Sequence, residues 1–281
     1  MTVLVFGKTG QVACELAEFP GVSCLGREDA DLSDPTACAA IIAKLEPVFV
    51  VNAAAYTAVD QCESDEAAAL VVNGEAPAAM AAACATLGVP FVHISTDYVF
   101  DGQGRKAFAP GDPTGPLNAY GRTKLAGEDG VRAAGGQFAI LRTSWVFSGH
   151  GSNFVKTMLR LAETRDALTV VGDQIGGPTP ARDIAQACMD LGESLRADGP
   201  SGTYHFAGAP DVSWAGFARE IFAQAGVATQ VRDIPTDQYP TPAKRPANSR
   251  LDCSLIHRDH AISRPDWRVG LAQVLKELNA S

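Results

Sequence analysis

Tyr120 and Lys124 stand four positions apart in the stretch Tyr120-Gly121-Arg122-Thr123-Lys124. On a helix that spacing puts both side chains on one face. A free phenol titrates near ~10, and a neighbouring ammonium lowers that value by stabilising the phenolate. Such a pair can exchange a proton with an alcohol or a ketone at neutral pH. The same spacing arises often by chance, so its meaning depends on its surroundings. Thr96, Asp97 and Tyr98 add a hydroxyl, a carboxylate and a phenol just after the apolar run Phe91-Val92-His93-Ile94. His93 lies inside that run and reads as a core histidine rather than a ligand.

The elements that must hold these groups follow a regular rhythm. Residues 2–6 read as a buried strand. Gly7-Lys8-Thr9-Gly10-Gln11-Val12-Ala13 then turns into a helix. Gly7 permits a tight turn, and Gly10 lets the backbone approach a pyrophosphate. The helix N-terminus supplies N–H donors and a favourable dipole. The spacing is G-x-x-G-x-x-A, with Ala13 as the small third residue. A second strand, Val22–Leu25, ends in Gly26-Arg27, where nucleotide-binding folds carry the group that meets the adenosine ribose. An arginine there suits a 2′-phosphate and favours NADPH. Glu28 and Asp29 follow it directly and leave NADH open.

Asp31-Leu32-Ser33-Asp34 leads into a helix ending at Leu45, capped by Ser33 or Asp34 with Pro35 at its first position. Residues 48–51 read as a third strand. The small side chains after it, Ala53-Ala54-Ala55, let a flat adenine or ribose lie against the strand end. Residues 71–87 read as one long helix, with Asn73 either a surface residue or a polar group on an apolar segment. A Gly- and Pro-rich stretch over 101–116 suits a mobile cover over a site. Strand, helix, strand, helix up to residue 147 predicts an α/β chain with a doubly wound parallel sheet.

After that the rhythm changes. Helices are predicted over 153–163, 181–195, 213–225 and 266–278, and strands over 168–171 and 202–206. The helix over 181–195 or the strand over 202–206 could rejoin the sheet. The expected division is a nucleotide-binding domain of residues 1–147 plus about 173–206. A smaller C-terminal α/β substrate lobe would take about 148–172 plus 207–281.

Bulk properties bound the rest. A chain of 281 residues, 46% hydrophobic and 20% charged, can bury a large core. Its net charge of −9 argues against a general binder of nucleic acid or anionic membrane. A diphosphate would then need local cations, and Arg245 and Arg250 in a proline-dense segment are the candidates. Seven scattered cysteines without C-x-x-C, no apolar run of membrane-spanning length and no basic leader predict a reduced, cytoplasmic chain. There is no H-E-x-x-H, no G-x-S-x-G and no Walker ending, so the chemistry points to a redox cofactor rather than a metal.

Taken together, these stretches resemble the extended short-chain dehydrogenase/reductases, and within them the dTDP-4-dehydrorhamnose reductase family. The resemblance covers nearly the whole chain. It is carried by Phe6 to Val12, Val51 to Asp60, Ser95 to Phe100, Tyr120 to Glu128, Arg142 to Phe147 and Pro242 to Leu251. It implies reduction of dTDP-4-dehydro-L-rhamnose to dTDP-L-rhamnose. By that resemblance Tyr120 donates the proton, Thr96 replaces the serine of many relatives, and Lys124 holds the nicotinamide ribose. Gly10, Gln11 and Val12 would contact the pyrophosphate; Asp31, Leu32, Ala55, Tyr56 and Thr57 would lie near the adenosine half, with Ala54 beside them. Asp97, Tyr98 and Trp145 would face the sugar. A homodimer is implied, and Mg2+ at its interface through acidic residues in some members. Glu15 stands at such a position with Glu277 as its nearest companion, but part of the acidic set is missing. The rival expectations are another nucleotide-sugar 4-ketoreductase or epimerase, and a non-catalytic regulatory subunit of the same fold.

Overall fold

β1 (Val3–Phe6) consists of four apolar residues, all buried, as a strand covered on both faces requires. In the computed structural model, whose described residues are 2–280, β1 lies inside a six-stranded parallel sheet. The helix α1 (Gln11–Leu16) follows it. β2 (Val22–Leu25) pairs on one side of β1, and β3 (Phe49–Asn52) pairs on the other. β4 (Phe91–Thr96) and β5 (Phe138–Thr143) continue outward from β3, and the strand Gly202–His205 closes that edge. The chain thus reverses direction across the sheet between β1 and β3. Such a switch point leaves a crevice at the carboxyl ends of the strands. This is the doubly wound α/β fold expected from the sequence.

The helices follow from local signals with one exception. α2 (Pro35–Leu45) begins where Asp34 accepts the Ala37 N–H at 2.9 Å. After α3 (Val59–Cys62) and α4 (Glu66–Leu70), the helix predicted over 71–87 opens with a π-helical turn at Val71–Glu75 before α5 (Ala76–Leu87). Wide turns of this kind cluster at functional sites. The run Glu66–Leu87 is 22 residues long and apolar enough by composition to cross a membrane, a length that the sequence reading had not found. Here it is used as a core helix: Ala76, Met80, Ala81 and Cys84 pack against Leu4, Phe6 and Val50 of the sheet.

α6 (Ala119–Ala134) starts where the Asn118 side chain accepts the Gly121 N–H at 2.8 Å. The helix Ala181–Arg196 covers the other face of the sheet through Ile184, Ala185, Cys188 and Leu191. So the strand over 202–205 joins the sheet, and the preceding helix packs onto it. A second apolar cluster gathers Phe147, Met158, Phe217, Ile221, Trp267 and Leu271. It includes a parallel pair, Ala167–Val171 with Gln230–Ile234, whose second strand had no sequence signal strong enough to be read. The 101–116 stretch is pinned rather than free. Phe108 exchanges backbone hydrogen bonds with Arg250 and Asp252 at 2.9 and 2.8 Å and stacks on Phe100.

Candidate active site

A cleft of about 860 Å³ runs across the carboxyl ends of the strands. Gly7, Gly10, Gln11 and Val12 form one wall. Gly7 has φ +119°, which L side chains rarely adopt, and a Cβ there would meet Ala13 and Ala53 at 3.3 Å. Ala13 is therefore the small third position that the turn needs. No side chain caps α1, and the space beside Gly10 is open. Backbone N–H groups at such a helix start suit a pyrophosphate. Farther along lie Arg27, Asp31 and Leu32, and across from them Ala54, Ala55, Tyr56 and Thr57. Arg27 pairs with Asp31 at 3.3 Å, and Lys8 pairs with Glu28 at 2.8 Å. Two cations therefore stand where a 2′-phosphate would be read. Nothing local in the sequence marks Lys8, which reaches Glu28 across 20 positions. The residues present fit a dinucleotide phosphate.

The opposite end is built by β4 and α6. Thr96 ends β4, and its hydroxyl donates to Asp97 Oδ1 at 3.2 Å while accepting the Tyr98 N–H. Tyr120 comes from the first turn of α6, within hydrogen-bonding reach of Thr96 and edge-on to the Tyr98 ring at 5.6 Å. Gly121 allows this approach, since a Cβ there would lie 2.2 Å from the Tyr98 carbonyl oxygen. Lys124, one turn on, is 2% exposed. Its Nζ donates to the Ile94 carbonyl at 2.7 Å and lies 3.2 Å from His93 Nε2. His93 is in the core as read, but it touches the site. Trp145 occupies the left-handed region at φ 50° and stacks on Trp214 with ring centres 3.6 Å apart.

Burial reverses one expectation. The Tyr120 hydroxyl is pushed up from its ordinary value by burial, with the Thr96 contact as the chief offset. The Lys124 amine is pushed down to about 8 by burial, with Glu128 working the other way. The pair shares a helix face, yet the phenol is made a weaker acid, not a stronger one. Desolvation is the largest influence on the phenol, and the nearby Asp97 charge adds to it. A proton donor in a reduction must hold its proton until charge develops, so this direction suits the task. Asp97 is also pushed up, to about 6, by burial, and its Oδ2 has no hydrogen-bond partner.

The family profile described as the RmlD substrate binding domain matches residues 1–280. The chain belongs to that family. A dTDP-4-dehydrorhamnose reductase of Burkholderia thailandensis is 45% identical over 99% of both chains. The crystal structure of a dTDP-4-dehydrorhamnose reductase from Clostridium acetobutylicum has a TM-score of 0.93 at 35% identity, covering 99% of this chain and 100% of that one. A Bacillus anthracis dTDP-4-dehydrorhamnose reductase, solved in complex with NADP, has a TM-score of 0.93 at 31% identity over the same shares.

In this RmlD-family chain, Thr96, Asp97, Tyr98, Tyr120, Lys124 and Trp145 share the cleft with all of the predicted cofactor residues. Arg245 and Arg250 do not line it. Arg245 makes a bidentate pair with Asp60 at 2.7 and 2.8 Å, close enough to Tyr98 for their charges to interact. Arg250 donates to Asn248 Oδ1 at 2.9 Å and faces Asp211. Asn73, left open by the sequence, is buried in the π-helical turn. It accepts the Tyr56 N–H at 2.8 Å and donates to the Tyr56 carbonyl and to Thr123 Oγ1, both at 3.1 Å. It clamps the loop after β3 to α6, a role that no local pattern announces. Glu15 lies 3.7 Å from His150, and burial raises its pKa, with the Glu277 charge contributing. Among the described residues no group of three or more His, Cys, Asp or Glu side chains could hold a metal ion.

Proposed function

We propose that this chain reduces the C4 keto group of dTDP-4-dehydro-L-rhamnose to dTDP-L-rhamnose, with NADPH as its cofactor. The observation that carries this reading is the set of buried Thr96, buried Lys124 and half-buried Tyr120 at the end of a cleft that begins at a glycine turn. The family relatives carrying the same name support it.

NADPH, when bound, supplies the hydride to C4. The chain's own residues then manage the negative charge that grows on the C4 oxygen. Tyr120 gives that oxygen its proton, and the Thr96 hydroxyl hydrogen-bonds it. Lys124 holds the cofactor ribose and, when protonated, stabilises the phenolate left on Tyr120. Asp97, Tyr98 and Trp145 shape the sugar pocket, and the Trp145–Trp214 stack fixes its wall. Gln11 and Val12 sit at the pyrophosphate, while Arg27 and Asp31 sit at the adenosine ribose. Arg250 is the candidate for the substrate diphosphate, and Arg245 joins it by exchanging Asp60 for phosphate. Residues 1–147 with about 173–206 carry the cofactor in this reading, and the remainder carries the sugar. A cytoplasmic homodimer completes it.

The test is NADPH oxidation by the purified chain with the dTDP keto sugar, with the product identified by NMR. One NADPH consumed per dTDP-L-rhamnose formed is expected. Epimerised sugar without net oxidation, or NADPH binding without turnover, would overturn the assignment. Kinetics with NADH in parallel decide the cofactor preference.

A further inference from the structure

His93 lies at the centre of β4, fully buried, and the chemistry above gives it nothing to do. Both of its ring nitrogens are nonetheless engaged. Nε2 is 3.2 Å from Lys124 Nζ, and Nδ1 is 3.2 Å from Asn52 Nδ2. Asn52 ends β3, and its Oδ1 accepts the Ala54 N–H at 3.2 Å. That backbone bond fixes the orientation of the amide, because the N–H needs an oxygen opposite it. The amide NH2 must then face the ring, and an NH2 only donates. Nδ1 therefore has to accept, which places the single proton of a neutral imidazole on Nε2.

That proton points at Lys124. An ammonium has no lone pair, so a charged Lys124 would face the imidazole donor to donor. The other tautomer merely moves the same conflict to Asn52. A neutral amine resolves it: Nζ accepts from Nε2–H and donates to the Ile94 carbonyl. A doubly protonated ring is no escape, since burial by itself disfavours a charged imidazole and holds His93 well below its ordinary value.

We propose that Asn52 and His93 are positioning residues that act through Lys124, fixing the imidazole tautomer so that the neutral amine is favoured over the ammonium. The consequence for catalysis rests on the reductase reading of Lys124; the hydrogen-bond argument does not. Burial of the amine works in the same direction. Other charges face this pair. Glu128 on α6 favours the ammonium, but it is itself paired with Arg142 of β5 and with Arg132. Tyr120 and Asp97 line the same end of the cleft.

Two substitutions reverse the arrangement. In Asn52→Asp a carboxylate would accept from both Ala54 N–H and Nδ1–H, which frees Nε2 to accept from an ammonium. In His93→Gln a rotatable amide can turn its oxygen to Lys124. With ring-15N-labelled histidine, NMR of the parent protein should show His93 as the Nε2–H tautomer, its signals assigned by their loss in His93→Gln. In both variants the Lys124 titration, followed by 13Cε NMR, should rise by about one pH unit or more. The alkaline limb of kcat/KM should rise with it. A mere packing role would lower stability and leave that limb where it was. An Nδ1–H tautomer in the parent overturns the proposal, as does an unchanged Lys124 titration in His93→Gln, whether or not Asn52→Asp folds. The NMR readouts need no substrate, so a protein inactive on the keto sugar would sink the reductase reading alone.

Discussion

At the end of the cleft proposed for the adenosine, Arg27 with Asp31 and Lys8 with Glu28 form ion pairs in water; Arg27's side chain is 79% exposed. At the reaction end, Lys124, Asp97 and Thr96 are each 5% exposed or less. The same kinds of groups therefore behave differently. The outer pairs can exchange partners at little cost, which suits recognition of an incoming phosphate. The inner groups are desolvated, so small changes in hydrogen bonding move their proton affinities strongly. Beneath them, Glu128 is held by Arg142 through hydrogen bonds of 2.6 and 2.8 Å, which ties α6 to β5 below Lys124. In the proposed reading, recognition would rest on soft surface chemistry and proton transfer on a stiff, dry frame.

Substitutions should separate the two ends, and the reaction end should be the more sensitive. Tyr120→Phe is expected to lose roughly 10²–10⁴ in kcat. Its cofactor affinity, measured by fluorescence titration, should change little. A Phe variant that turns over normally would remove the phenol from the chemistry. Asn73→Ala leaves the Tyr56 N–H and carbonyl without their partner. It should cost about 1–3 kcal/mol for each group left unpaired, read from denaturant unfolding. A variant as stable as its parent would mean that the clamp is not needed.

Asp97 tests the dry end through pH. Its pKa rises on folding, so the folded chain holds this proton more tightly than the unfolded one. That contribution to stability is complete below about 4 and is lost as pH rises through about 6. Asp97→Asn should therefore unfold later than the parent above pH 6, by about 2–3 kcal/mol, with the gap closing toward pH 4. A gap independent of pH would show that the carboxylate is better solvated than its burial indicates. The smallest effect belongs to the wet end. Arg27→Ala should raise KM for NADPH by less than ~tenfold, and leave that for NADH nearly unchanged. Equal changes for both cofactors would take Arg27 away from the 2′-phosphate.

Much of the frame was legible because its signals are local. The apolar run of β1, the glycine turn after it and the Asp34–Pro35 helix start each depend on near neighbours in the chain. The Tyr120–Lys124 spacing is local in the same way. Illegible features join distant residues. Asp60 captures Arg245 across 185 positions, so a cation proposed for phosphate is found holding a carboxylate. Asn73 reaches Tyr56 and Thr123 across 17 and 50 positions. The second strand of the Ala167–Val171 pair, Gln230–Ile234, exposes Gln230, Arg232 and Asp233 and so shows no apolar pattern to find.

Residue types and spacing alone determined the strand rhythm, the glycine turn and the candidates for the reacting groups, because these follow from backbone periodicity and side-chain chemistry. Only the tertiary structure decided how those groups hold their protons. Burial raised the phenol that its neighbouring ammonium had been expected to lower, and it set the amine against His93 and Ile94 rather than toward water. Desolvation depends on everything packed around an atom, and no short stretch of chain carries that information.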